Sequence, residues 1–279
     1  MKKKLYVGTN TKMFKTPSEA EQHIKRLLEL TRDIPESEIH RFIIPSYTSL
    51  HIAKPAGENV IQIGAQNMGW EERGQFTGEI SPLMLQELGI DLVMIGHSER
   101  RHILHETDFE EEKKVACALA HGFTTLLCIG ETAAQKEYGI SKEALAEQLK
   151  IGLHQVTREQ AESKLWIAYE PVWAIGVNGV PANPDYVEEI HSHIKKVLVE
   201  LFGEEMSENI PVLYGGSVNN ENATKLIIKP SVDGLFIGRS AWDADNFNKI
   251  IRDVMPLFKE CRLPPETASC AILNGRISP

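Results

Sequence analysis

Short apolar runs alternate along this 279-residue chain with longer segments in which apolar residues recur every three or four positions. The short runs, at 5–8, 42–44, 60–63, 92–95, 124–129, 165–169, 212–214 and 235–237, are rich in Ile, Leu and Val without strict polar alternation. That is the pattern of parallel strands buried on both faces. Helical periodicity covers 17–30, 81–88, 108–120, 141–156, 184–202, 222–228 and 246–258, and several of these segments open on Ser, Asp, Asn or Pro, as helix starts should. The second unit is the weakest, with only 49–54 available for its helix. Eight βα units in a chain of this length predict an α/β protein closed into a single (β/α)8 barrel rather than an open doubly wound sheet. No Gly-x-Gly-x-x-Gly follows the first strand, which weakens a dinucleotide-binding alternative.

In such a barrel the carboxyl ends of the strands face the active site. The sixth end carries a single carboxylate, Glu170, followed at once by Pro171 and then by Trp173, Gly176, Gly179, Pro181 and Pro184. Stiff residues on both sides of a glycine-containing tip suit a lid on two hinges, and closure over a carboxylate would strip water from a base. A solvated glutamate followed by an ordinary loop would read the same way. The first end offers Asn10 and Lys12, an amide beside a cation that could anchor an anion, although most lysines are simply solvated. The fourth end gives His97 at the start of a helix, where the N-terminal partial positive charge disfavours an imidazolium; a structural histidine would fit equally. The seventh and eighth ends, Gly215-Gly216-Ser217 and Gly238-Arg239, are glycine turns whose bare N–H groups could converge with Gly176 on an anion.

Composition removes several classes. With 42% hydrophobic and 25% charged residues the chain is an ordinary globular one. A net charge of −9 argues against nucleic acid as a partner and requires that an anionic substrate be held by local positive groups. The basic start, Lys2 to Lys4, is followed by too few apolar residues for a signal peptide, and no run approaches the roughly 20 apolar residues of a membrane helix. The expected location is the cytoplasm, with no membrane partner. Cys117, Cys128, Cys261 and Cys270 form no Cys-x-x-Cys pair and predict reduced thiols.

Several long motifs stand in one order: Asn10-x-Lys12-Met13, Gly64-Ala65-Gln66-Asn67 with Phe76-Thr77-Gly78-Glu79, Ile95-Gly96-His97-Ser98-Glu99-Arg100-Arg101, Cys128-Ile129-Gly130-Glu131, Ala168 to Gly176, and Tyr214 to Val218. Together they resemble the triosephosphate isomerase family, from about residue 5 to 258. The resemblance implies a TIM barrel that interconverts an aldose phosphate and a ketose phosphate through an enediolate, with no cofactor and no metal. It makes Glu170 the base, His97 a neutral electrophile, and Lys12 and Asn10 the groups that hold the substrate oxygens, with Glu99 behind Lys12. A carboxylate base and a neutral histidine under a closing loop are this family's well-known arrangement and belong to the resemblance. Gly176, Ser217, Gly238 and the N–H of Arg239 would bind the phosphate. The loop from Gln75 to Glu79, with Thr77 at its tip, resembles the one by which each subunit of a homodimer reaches into its partner's site.

The chain also departs from the family. Thr11 replaces a usual Trp, Phe14 a usual Asn and Arg239 a usual Gly, and the lid tip at 177–183 is one residue longer and lacks its Thr-Gly-Lys. A tail at 259–279, with Pro264, Pro265, Cys270 and Gly275, runs past the barrel assigned to 1–258. These departures leave the reaction class in place and open the substrate. Glyceraldehyde 3-phosphate and dihydroxyacetone phosphate come first, and a four-carbon ketose phosphate such as erythrulose phosphate is the alternative. A non-catalytic phosphate-binding barrel is a further one. A metal enzyme would need several carboxylates or histidines at neighbouring strand ends, whereas strands three to five supply mainly Gln66, Asn67 and His97. His191 and His193 share no helical face, and His102, His105 and Glu106 read as polar surface. A Schiff-base aldolase is disfavoured because the sixth strand ends in Glu170.

Overall fold

A computed structural model describes residues 4–176 and 179–262. The lid-tip residues Val177 and Asn178, and the tail from 263 on with Cys270, lie outside the described residues. The eight strands are β1 (Leu5–Asn10), β2 (Ile39–Ile44), β3 (Ile61–Ala65), β4 (Leu92–Ile95), β5 (Thr124–Ile129), β6 (Leu165–Tyr169), β7 (Val212–Tyr214) and β8 (Gly234–Ile237). All neighbours pair in parallel, and β1 meets β8 through Tyr6 opposite Gly234, closing the predicted barrel.

Strand alternation decides what points where. Phe42, Ile44, Leu92, Met94, Leu126, Cys128, Trp166 and Ala168 pack together inside the barrel, while their odd-numbered neighbours Ile43, Val93, Leu127 and Ile167 face the helices. The same two-residue period carried one step further brings Glu170 above Cys128 and Ala168, and it puts Asn10 inward on β1. Room for the large inward rings comes from glycine: a Cβ on Gly8 would lie 2.3 Å from the Phe42 ring.

The helices in order are α1 (Pro17–Leu30), α2 (Leu50–Ala56), α3 (Pro82–Glu87), α4 (Ser98–His102), α5 (Asp108–Ala120), α6 (Ala133–Glu137), α7 (Ser141–Gly152), α8 (Arg158–Lys164), α9 (Pro184–Phe202), α10 (Glu204–Ser207), α11 (Ala223–Ile227) and α12 (Ala244–Cys261). The long ones match the apolar periodicity, and α1 begins as its sequence requires, with Pro17 in the first turn and a Thr16/Glu19 capping box. The short α6 and α8 were not expected, because five and seven residues cannot display a 3.6-residue apolar period. Each nevertheless opens on a capping box, Thr132 with Gln135 and Thr157 with Gln160. Among the described residues no helix is long and apolar enough to cross a membrane.

Candidate active site

The carboxyl ends of the strands surround a cavity of about 520 Å³. Every residue that the sequence reading placed in the site lines it: Asn10, Lys12, His97, Glu99, Glu170, Gly176, Ser217, Gly238 and Arg239.

At the β1 end, Asn10 Oδ1 accepts hydrogen bonds from the Lys12 N–H (2.7 Å) and from Gln66 Nε2 (3.0 Å). Gln66 Nε2 also donates to the Lys12 carbonyl (2.8 Å), so one amide at the end of β3 fixes the turn in which Lys12 takes φ 50°. Gln66 was noted in the sequence without a role, and only the fold shows this one. With Asn10 Oδ1 occupied, its Nδ2 donates to Met94 Sδ at 4.0 Å. Lys12 Nζ lies 2.7 Å from Glu99 Oε1.

His97 caps α4. Its Nδ1 accepts the Glu99 N–H at 3.2 Å, which puts the ring proton on Nε2, and Nε2 lies 3.5 Å from Glu170 Oε1. Burial, with Lys12 and Arg100 adding to it, pushes the imidazole pKa down to about 3, so the ring is a neutral donor aimed at the cavity. Glu170 is held in turn by the Ser98 N–H on its Oε2 (3.4 Å). Burial pushes its carboxyl up to about 7, against the pull of Lys12. Its place depends on Gly215, where a Cβ would come within 2.8 Å of Glu170 Cγ.

Beyond Glu170 the loop is pinned at Trp173, whose Nε1 donates to Glu131 Oε1 (2.9 Å). The same oxygen accepts from the hydroxyls of Tyr169 (3.0 Å) and Tyr186 (2.8 Å), and Lys136 Nζ sits 3.3 Å from the Trp173 ring centroid. Farther along this loop and in the turns after β7 and β8, the N–H groups of Gly176, Gly216, Ser217, Gly238 and Arg239 donate to no acceptor among the described residues. A Cβ on Gly238 would meet nothing within 4 Å. A small neutral ring donor, a buried carboxylate poised near neutrality, a lysine, and a patch of unused N–H donors suit a phosphorylated hydroxycarbonyl compound.

The sequence model of the triosephosphate isomerase family matches residues 5–254. The chain belongs to the triosephosphate isomerase family. It is an enzyme, an intramolecular oxidoreductase of the aldose–ketose isomerase type. It is 44% identical over 268 residues to a Rhizobium etli protein named L-erythrulose-1-phosphate isomerase, covering 95% of this chain and 97% of that one. A Mesorhizobium japonicum protein of the same name is 44% identical over 247 residues, 88% of this chain and 95% of its own. The triosephosphate isomerase of Carboxydothermus hydrogenoformans is 42% identical over 252 residues, covering 90% and 98%.

Two of the family departures can be placed in the site. Phe14 stacks at 4.4 Å on Trp242, whose Nε1 donates to the Asn10 carbonyl (2.9 Å), so the pair forms a wall beside β1. The exposed Arg239 reaches from the β8 turn to the Gly176 carbonyl, 3.1 Å from its Nη2. One reading is corrected. Glu106 does not lie on an open polar face: α4 ends at His102, and the chain turns so that Glu106 Oε1 accepts from Arg100 (2.8 and 2.5 Å), from the buried Lys114 (2.5 Å) and from Asn67 (3.4 Å). His191 and His193 bond different carbonyls, those of Ser231 and Lys142. Among the described residues no three His, Cys, Asp or Glu side chains are grouped to hold a metal.

Proposed function

We propose that this enzyme isomerises a four-carbon ketose phosphate, erythrulose 1-phosphate in kind, with Glu170 as the base. The observation that carries the reaction is the approach of Glu170 and His97, 3.5 Å apart, in a cavity that also holds Lys12 and the free N–H groups of the β7 and β8 turns. The relatives' names carry the substrate. They favour the four-carbon alternative over the three-carbon reading that the sequence placed first.

The chemistry follows from where the carbonyl stands. A 2-ketose 1-phosphate can move its carbonyl only toward C3, because C1 bears the phosphate ester. Glu170 removes the C3 proton, and the enediolate oxygens on C2 and C3 receive hydrogen bonds from His97 Nε2–H and charge from Lys12. Asn10 Nδ2 has a second N–H, beyond the one on Met94 Sδ, to hold the second oxygen. Returning the proton to C2 leaves the carbonyl on C3, which renumbers to a 2-ketose 4-phosphate. The step is the triose reaction with a hydroxymethyl group in place of one hydrogen on the carbon remote from phosphate. The phosphate lies against Gly176, Ser217, Gly238 and the Arg239 N–H.

Two further points complete this reading. The three described cysteines are unpaired, which fits the reducing cytoplasm. Met13 (94% exposed) and Phe76 (43% exposed, beside Thr77) are apolar side chains that a second copy would cover, and they support a homodimer built through the loop from Gln75 to Glu79. Following each sugar phosphate by NMR in deuterated buffer tests the substrate. Tetrulose 1-phosphate should exchange and convert with a kcat/KM at least about tenfold above that for dihydroxyacetone phosphate, the worth of one well-seated polar group. Fast turnover of the triose with an inert tetrulose would restore the three-carbon reading.

A further inference from the structure

The extra carbon of a tetrulose lies at the end of the substrate remote from phosphate, so it gives no reason for a long cation at position 239. The surroundings of Arg239 supply one. Its guanidinium carries five N–H donors, of which the Gly176 carbonyl engages one. No carboxylate among the described residues pairs with it: Glu99 takes Lys12, and Glu170 takes the Ser98 N–H. Backbone N and O of one residue are under about 4 Å apart, so a phosphate on the Gly176 N–H comes within reach of the same guanidinium. The N–H of Arg239 itself, and that of Gly238 beside it, are unused on the same wall.

Resting on the sugar-phosphate reading, we infer that the Arg239 side chain is a second, charged phosphate ligand that ties the bound phosphate to Gly176. A cradle of neutral N–H groups becomes one with a planar, permanently charged fork, the group best suited to two phosphate oxygens at once. It also adds a second positive charge to the cavity that Lys12 lines, against a net charge of −9.

The test is calorimetric titration of inorganic phosphate into wild-type enzyme and into Arg239→Gln and Arg239→Lys, at low and at high salt. Arg239→Gln removes the charge and leaves a shorter side chain with an amide donor in place of the fork. Its phosphate affinity should fall about tenfold at low salt, with the gap narrowing as salt screens the wild-type contact. Arg239→Lys should recover part of the loss. With the sugar phosphate, KM should rise by more than kcat falls. Equal affinity of wild type and Arg239→Gln would overturn the inference and leave the guanidinium as a tie to the loop. A wild-type protein that binds no phosphate would remove the sugar-phosphate reading itself, and the inference with it.

Discussion

Burial drives two carboxyl groups in this molecule to about 7, Glu170 at the barrel mouth and Glu111 in the wall formed by α4 and α5. Their immediate surroundings differ in one respect that matters. Glu170 opens onto the cavity, 3.5 Å from His97 Nε2, whereas Glu111 is fully enclosed and lines no cavity of the site. For Glu111, burial is reinforced by Glu106 and opposed by Arg101 and Lys114. Neither Glu111 oxygen, nor Glu106 Oε2, meets a donor among the described residues, while Glu106 Oε1 takes four. A proton on Glu111 gives these facing oxygens their missing donor, and Glu106 remains the anion despite its burial, held down to about 2 by Arg100 and Lys114. A raised carboxyl is therefore no mark of chemistry by itself. Access to a substrate separates the two.

The largest expected effect breaks the comparison from the catalytic side. Glu170→Gln keeps the shape and the Ser98 contact but removes the basic electron pair, and kcat should fall by about 10²-fold to 10⁴-fold with little change in KM. Glu111→Gln should leave turnover within about twofold. In wild type, kcat/KM should decline as pH drops below about 7, because the protonated Glu170 cannot accept a proton. The substrate phosphate titrates near 6, so a carboxyl-labelled glutamate followed by NMR identifies the group responsible. Wild-type turnover by Glu170→Gln, in a preparation shown free of host isomerase, would take Glu170 out of the reaction.

Next in size is the charge that allows a buried base to face an anionic substrate. Lys12→Met removes the cation that lowers the Glu170 pKa and that the proposed reaction sets against the substrate, and it leaves Glu99 without its 2.7 Å partner. Binding of a phosphate-bearing competitive inhibitor should weaken by about 1.5 to 3 kcal/mol, the worth of a hydrogen bond to a charged group. Unchanged affinity would show that the N–H groups and Arg239 hold the phosphate without Lys12.

How far the sequence could see follows the same division between mouth and wall. Glu170, His97 and Lys12 were legible because each sits at a strand end inside a long motif, and strand alternation then carries it to the mouth. β1 ran two residues further than expected, since Thr9 and Asn10 are polar and read as loop, although both are buried and paired in the sheet. The helices α6 and α8 were missed for want of length, while their Thr-x-x-Gln capping boxes were there to be read. What the sequence could not supply was pairing across distance. The Gly238-Arg239 turn was expected to converge with Gly176, but nothing local says that the Arg239 side chain bonds the Gly176 carbonyl, 63 positions away, and only helical spacing, which sets Glu111 on the face of Val115, Ala118 and Leu119, separates it from its half-buried neighbours Glu110 and Glu112. Charge-rich helices read as solvated faces until a turn such as that at His105, with φ 59°, folds one of them inward.

The smallest effect sharpens the comparison from the structural side, through the pH dependence of stability. Glu111 has an ordinary value of 4.5 when unfolded and about 7 when folded, so between these values the folded state holds the extra proton. Stability from this group is complete below about 4.5 and is lost as pH rises through 7, since between the two values the unfolded chain has ionised while the folded one still holds its proton. Once pH exceeds both values, the loss is on the order of 3 kcal/mol. Glu111→Gln does not titrate, and its amide can donate to Glu106 Oε2 as the protonated acid does. Urea unfolding at pH 8 should show the variant more stable by roughly 1 to 3 kcal/mol, the lower end allowing for imperfect amide geometry. At pH 4.5 the difference should close. If Glu111→Gln is instead the less stable protein at pH 8, Glu111 ionises in the fold well below 7 through pairing with Arg101, and the two carboxyls are not alike after all.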